Sequence, residues 1–154
     1  MKYINQILIT LGALAFLAMC AFFWFSIQTS HFEAQAKPFA IEYITKLSER
    51  WSFSDVDTKS TPEFLSMVKS YDGNRTIQIF KQFGTLVGIK EFQAVQKTIS
   101  FGETQGVYQF KASFANAKTV GLIEIYEING QLQVQGLRFN VIESLPIKDN
   151  EFSA

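Results

Sequence analysis

Residues 107–142 read VYQFKASFANAKTVGLIEIYEINGQLQVQGLRFNVI, and the Asn129-Gly130 pair inside them decides how they fold. Asn-Gly favours positive φ at two successive residues, the backbone of a two-residue hairpin turn. Strands are therefore expected over 119–128 and 131–142. A further strand is expected over 107–115, where Tyr108, Phe110, Ala112 and Phe114 alternate with Gln109, Lys111 and Ser113. The turn also predicts register: Ile128 faces Gln131, Glu127 faces Leu132, Tyr126 faces Gln133 and Ile125 faces Val134. Ile123, Ile125, Leu132 and Val134 then share a core face, and Glu124, Tyr126, Gln133 and Gln135 share a polar one. Beyond Gly136 the apolar phase moves to Leu137, Phe139 and Val141. A bulge at Gly136 is expected to return these to the core and leave Arg138 and Asn140 outside. A slip of one residue would reverse the whole set.

Before this hairpin, residues 85–98 read as a first strand, Gly102 and Gly106 bracket a loop, and Asn116 lies in a turn. Ala36, Ala40, Tyr43, Ile44, Leu47 and Trp51 recur at three and four residues, which predicts an amphipathic helix over 36–51 with Pro38 in its first turn. Residues 52–60 read as a loop. Thr61-Pro62-Glu63 has the form of an N-cap, a first-turn proline and an acidic first turn, opening a short helix that carries Phe64, Leu65 and Val68 and ends near Ser70. Asp72-Gly73-Asn74 reads as a turn, and 75–83 as a helix stopped by Gly84.

Residues 7–27, ILITLGALAFLAMCAFFWFSI, carry no charge. As a helix they would be about 31 Å long, close to the hydrocarbon thickness of a bilayer. The expected layout is a cytoplasmic tail over 1–6, a transmembrane helix over 7–27, a tether over 28–36, a folded domain over 37–143 and a flexible tail over 144–154. Lys2 on the short side places the N-terminus in the cytoplasm and the domain across the inner membrane, in the periplasm or outside. Ala34-Gln35-Ala36 has the form of a signal-peptidase site, but the apolar run is longer than a secretory h-region. Cys20 is the sole cysteine, so no disulfide is available and the domain's core must hold it together. Beyond the apolar run the net charge is −1 with signs interspersed, which lacks the footprint of a nucleic-acid binder.

This order predicts an α+β cone: helices packed on a curved four-stranded antiparallel sheet. The segment from Tyr108 to Val141 resembles the C-terminal half of nuclear transport factor 2-like (cystatin-like) domains, in particular uncharacterised exported bacterial members. The likeness rests on Phe83-Gly84-Thr85-Leu86 before the sheet, on Tyr108, Ala112 and Phe114, and on Gly136 with Asn140 in the last strand. Where relatives often carry Trp in the final strand, this chain has Leu132. The resemblance covers roughly residues 37–142 and implies a fold, not an activity. Enzymes on that scaffold, such as ketosteroid isomerase and scytalone dehydratase, place acid and base residues inside the cone.

The inward strand positions here are apolar, and His31, the sole histidine, lies at the end of the apolar run. A Ser-His-Asp set or a histidine-based metal site cannot be assembled inside the domain. Asp55 and Asp57 fall short of a calcium loop. No catalytic residue, metal or cofactor is therefore expected. Tyr43, Trp51, Phe80, Phe110 and Phe139 are candidates to line a ligand pocket, although the prevalence of aromatics in cores favours a filled interior over a pocket. Glu124, Tyr126, Gln133 and Gln135 are the candidate interaction face, for a homodimer or an envelope protein. The expected function is a membrane-anchored, non-enzymatic interaction or envelope-assembly module, a layout shared with inner-membrane components of type IV secretion systems. A binder of small apolar, lipid-like ligands is the alternative. An isomerase- or hydrolase-like enzyme comes third.

Overall fold

The computed structural model describes residues 2–100 and 103–144, with the side chains of residues 2–13 and 24–30 outside the description. The chain divides into two units, Met1–Gln35 and Ala36–Ala154. Helix α1 runs over Lys2–Arg50 and crosses the division. In the first unit, Leu14, Phe16, Leu17, Met19, Phe22 and Phe23 are 55–72% exposed. Among the described residues no helix is long and apolar enough to cross a membrane. Of the expected span over 7–27, only the side chains of 14–23 are described. The expected tether over 28–36 lies within α1; of the expected tail over 144–154, Ser144 ends the last strand and 145–154 lie outside the described residues.

The second unit is α+β. After α1 come two 3₁₀ turns (Phe53–Asp55 and Asp57–Lys59), α2 (Pro62–Val68), α3 (Tyr71–Lys81) and four strands: β1 (Leu86–Ser100), β2 (Glu103–Phe114), β3 (Ala117–Ile128) and β4 (Gln131–Ser144). The strands form one antiparallel sheet in the order β1-β2-β3-β4. The six apolar residues predicted at helical spacing, Ala36 to Trp51, are all buried.

Four local expectations need correction. Pro38 lies inside α1 rather than in its first turn. A proline there lacks the N–H that would bond the carbonyl four residues back, a cost met by the burial of the residues around it. The stretch 52–60 is not an irregular loop but the two 3₁₀ turns. Asp72-Gly73-Asn74 is helical, because Ser70 caps α3 by accepting a hydrogen bond from the Gly73 N–H. Gly73 also meets α2 closely: a Cβ there would lie 2.5 Å from the carbonyl oxygens of Met67 and Val68. Gly106 is a buried residue of β2, not the end of a loop; Gly102 lies outside the described residues.

Thr61 caps α2 as read, accepting from the Phe64 N–H. Gly84 follows α3 at φ +74°. Asn129 and Gly130 have φ of 51° and 76°, and the β3–β4 register is the one predicted from Ile128–Gln131 through Ile125–Val134. The next pair is Glu124 with Gly136, so Gln135 is the extra residue of a bulge beside the expected glycine. Past the bulge Phe139 is buried and Leu137 half-buried, whereas Val141 is exposed towards the end of this edge strand.

Gly121 pairs with both Phe110 and Phe139. A Cβ on Gly121 would lie 2.2 Å from Cζ of the Phe110 ring, which is fully buried. Gly121→Ala should therefore overpack the core and cost about 2–3 kcal/mol, read as a lowered denaturant midpoint of the full chain with the same slope; an unchanged midpoint would contradict this packing.

Candidate functional site

Four of the five candidate pocket residues meet in one cluster. The Trp51 ring lies 5.7 Å from Phe80, 5.5 Å from Phe114 and 6.1 Å from Phe139. Phe139 is 5.2 Å from Phe80, edge to face, and 6.0 Å from Phe110. These are ring-on-ring packing distances, so the four side chains fill the space they were expected to surround. The Trp51 Nε1–H donates to the Gly84 carbonyl at 3.0 Å, which satisfies the polar edge of a buried indole. Tyr43 stands apart from the cluster, with its nearest ring partner Phe39 at 6.3 Å. Its hydroxyl is 2.7 Å from Ser60 Oγ, and the Ser60 hydrogen goes to the Val56 carbonyl. Tyr43 must then be the donor, and burial pushes its phenol well above the usual range.

The candidate interaction face is formed on β3 and β4 by the pleat: Glu124, Tyr126, Gln133 and Gln135 are all half-buried. Two residues of β2 join them. The Tyr126 hydroxyl donates to Glu103 Oε2, and Gln105 Nε2 donates to Glu124 Oε1. Glu124 lies over Gly136, where a Cβ would come 3.0 Å from its Oε2. Gln135 Oε1 is buried with no hydrogen-bond partner among the described residues. Two shallow grooves flank it. One, of about 290 Å³, is lined by Met67, Val107, Leu122, Glu124 and Arg138; the other, of about 360 Å³, by Thr61, Glu63, Gln105, Tyr126 and Gln133.

Glu103 and Gln105 lie between Gly102 and Gly106, a pair whose sequence suits the brackets of a loop. The signal was present in the alternation, since Thr104 and Gly106 continue the buried parity of Tyr108 and Phe110. In sequence, Thr61 and Glu63 signal only the N-cap and the acidic first turn of α2.

The remaining polar candidates are engaged locally. Asp55 accepts from both Nε and Nη2 of Arg50, at 3.0 and 2.5 Å, and fastens the end of α1 to the first 3₁₀ turn. Asp57 accepts from the Thr58 N–H. Among the described residues, no three His, Cys, Asp or Glu side chains gather where a metal could be held. His31 is exposed, in the first unit. Glu124 and Tyr126 each face a different β2 partner, so they form no acid–base pair with one another. No protein-family model, curated protein or solved structure matches the chain.

The bond to Glu103 raises the Tyr126 phenol above its ordinary 10.0, with burial and the carboxylate charge adding to the effect. A raised value means that the bond stabilises the fold fully below the ordinary phenol range and is lost as pH rises through the raised value. Glu103→Gln should therefore bring the Tyr126 titration, followed by ring NMR signals, back towards the ordinary value. A titration that does not move would show that Glu103 is not the cause.

Proposed function

We propose that this chain is a membrane-anchored, non-enzymatic interaction module: residues 7–27 hold it in the inner membrane, and the domain beyond meets its partner on the far side. The observation that carries the reading is the exposure of Leu14, Phe16, Leu17, Met19, Phe22 and Phe23 on a helix, within 21 residues that bear no charge. Six large apolar side chains left open to water would be unfavourable by about 1.5–3 kcal/mol each relative to an apolar surround. A bilayer supplies that surround on every side of the helix at once, and the run has the length to span it.

The interaction reading of the domain is supported by a core packed with rings and by a polar face on which Gln135 Oε1 has no partner among the described residues, beside two grooves. The partner is an envelope protein or a second copy of the chain. The order of α1, short helices and a four-stranded meander with bulges supports the proposal of a nuclear transport factor 2-like cone.

Both parts are open to one experiment, with a photo-crosslinking residue placed at Gln133 on the face or at Lys81 on α3. After alkaline washing of native membranes the chain should remain in the pellet, and Gln133 but not Lys81 should yield protein adducts of defined size. Release into the wash would sink the anchor. Lipid adducts alone, or identical adducts from both positions, would sink the interaction face.

A further inference from the structure

We infer that a cavity of about 370 Å³ among α2, α3 and β4 is a binding site for a small cationic amphiphile, an aryl or alkyl amine. It shares Phe80 with the ring cluster around Trp51 but opens away from it, on the side of Phe53 and Phe64, and it does not rest on the interaction-face reading. Its floor and walls are Phe53, Phe64, Val68, Ile77, Phe80 and Leu137, drawn from a 3₁₀ turn, both short helices and an edge strand. Phe53 and Phe64 meet edge to face at 5.4 Å, and both are buried, as is Ile77. Met67, 58% exposed, stands at the rim, where its flexible thioether can shape itself to different apolar bodies.

The volume falls within the usual range of preformed small-molecule sites, about 300–1,000 Å³. The cavity is open to solvent on one side, where Met67, Ser70 and Asp72 are exposed. Gly73 shows why it cannot close: with its backbone already pressed against the Met67 and Val68 carbonyls, α3 has no room to move onto α2.

The polar end of the cavity selects the class of ligand. Ser70, Asp72 and Thr76 line it there. The Ser70 hydroxyl donates to the Met67 carbonyl and the Thr76 hydroxyl to the Asp72 carbonyl, so both side-chain hydrogens are already used. Ser70 Oγ also accepts the Gly73 N–H, so what the polar end still offers a ligand is acceptor capacity, chiefly at Thr76 and Asp72. Asp72 is the one ionisable residue in the lining, and its carboxylate has no hydrogen bond or ion pair among the described residues. An apolar body with a positively charged, hydrogen-donating head satisfies both ends; an anion would place like charge on Asp72.

The test is equilibrium dialysis of the full chain in a neutral detergent against 1-naphthylmethylamine and against 1-naphthylacetate, which has the same rings and the opposite charge. The amine should bind more tightly than the acid. Asp72→Asn, an exposed change, should weaken the amine about tenfold, the size of a lost charge-assisted hydrogen bond, and leave the acid no weaker. Val68→Trp should fill the cavity and abolish amine binding, with circular dichroism confirming the fold; Leu137→Trp fills it from the opposite wall. Equal binding of amine and acid, no amine binding, or amine binding unchanged in Asp72→Asn and in a folded wall variant would overturn the inference, because partition into micelles or onto the apolar helix is indifferent to all three substitutions.

Discussion

The domain depends on Trp51. It sits at the end of α1 with φ of 51°, a left-handed conformation that costs a non-glycine residue of order 1–3 kcal/mol. Its ring touches Phe80, Phe83, Phe114 and Phe139, and its indole N–H bonds the Gly84 carbonyl. Ring pairs contribute about 0.5–1.5 kcal/mol each beyond their buried area, and the hydrogen bond about 1 kcal/mol, so the contacts outweigh the strain. One side chain thereby ties the end of α1 to α3, to the turn before β1 and to both β2 and β4. Arg50 and Asp55 brace the same corner, and the Ser48 hydroxyl receives the Leu86 N–H at the start of the sheet.

The same cluster explains why the interior is not a vessel. The Phe110 ring occupies the space beside Gly121 that a side chain would fill, and it meets Phe139 edge to face. The volume that a hollow cone would leave open is occupied by aromatic rings. Open space survives instead at the flank, where Gly73 already presses the start of α3 against the end of α2. Polar chemistry is likewise displaced from the interior to the far side of the sheet, where carboxylates and amides bond one another across strands.

Local rules made much of this legible. Asn129-Gly130 set a register that holds residue for residue up to the bulge, and Thr61-Pro62 opened α2 where expected. Each of these signals is decided within about four residues of chain, so no distant contact is needed to read it. The candidate face on β3 and β4 was legible for the same reason: once the turn is known, alternation assigns every side chain to a side. Asp72-Gly73-Asn74 misled because turn-forming residues also suit the first turn of a capped helix, and the choice fell to Ser70 and to the closeness of α2. Gly106 misled because glycine suits a loop as well as a strand, and only the alternation carried back from Tyr108 and Phe110 argues for the strand.

By itself, the sequence determined the uncharged apolar run, the spacing that makes 36–51 one buried stripe, the hairpin register and the lack of a second histidine or cysteine. These depend on composition and on neighbours along the chain. Tertiary structure decided that Trp51, Phe80, Phe110 and Phe139 are mutual packing partners, that Tyr43 belongs to Ser60 instead, that Glu103 and Gln105 complete the polar face, and that the cavity lies beside Gly73. Those outcomes turn on which rings meet across tens of residues, and periodicity reports a side chain's face without reporting what stands opposite it.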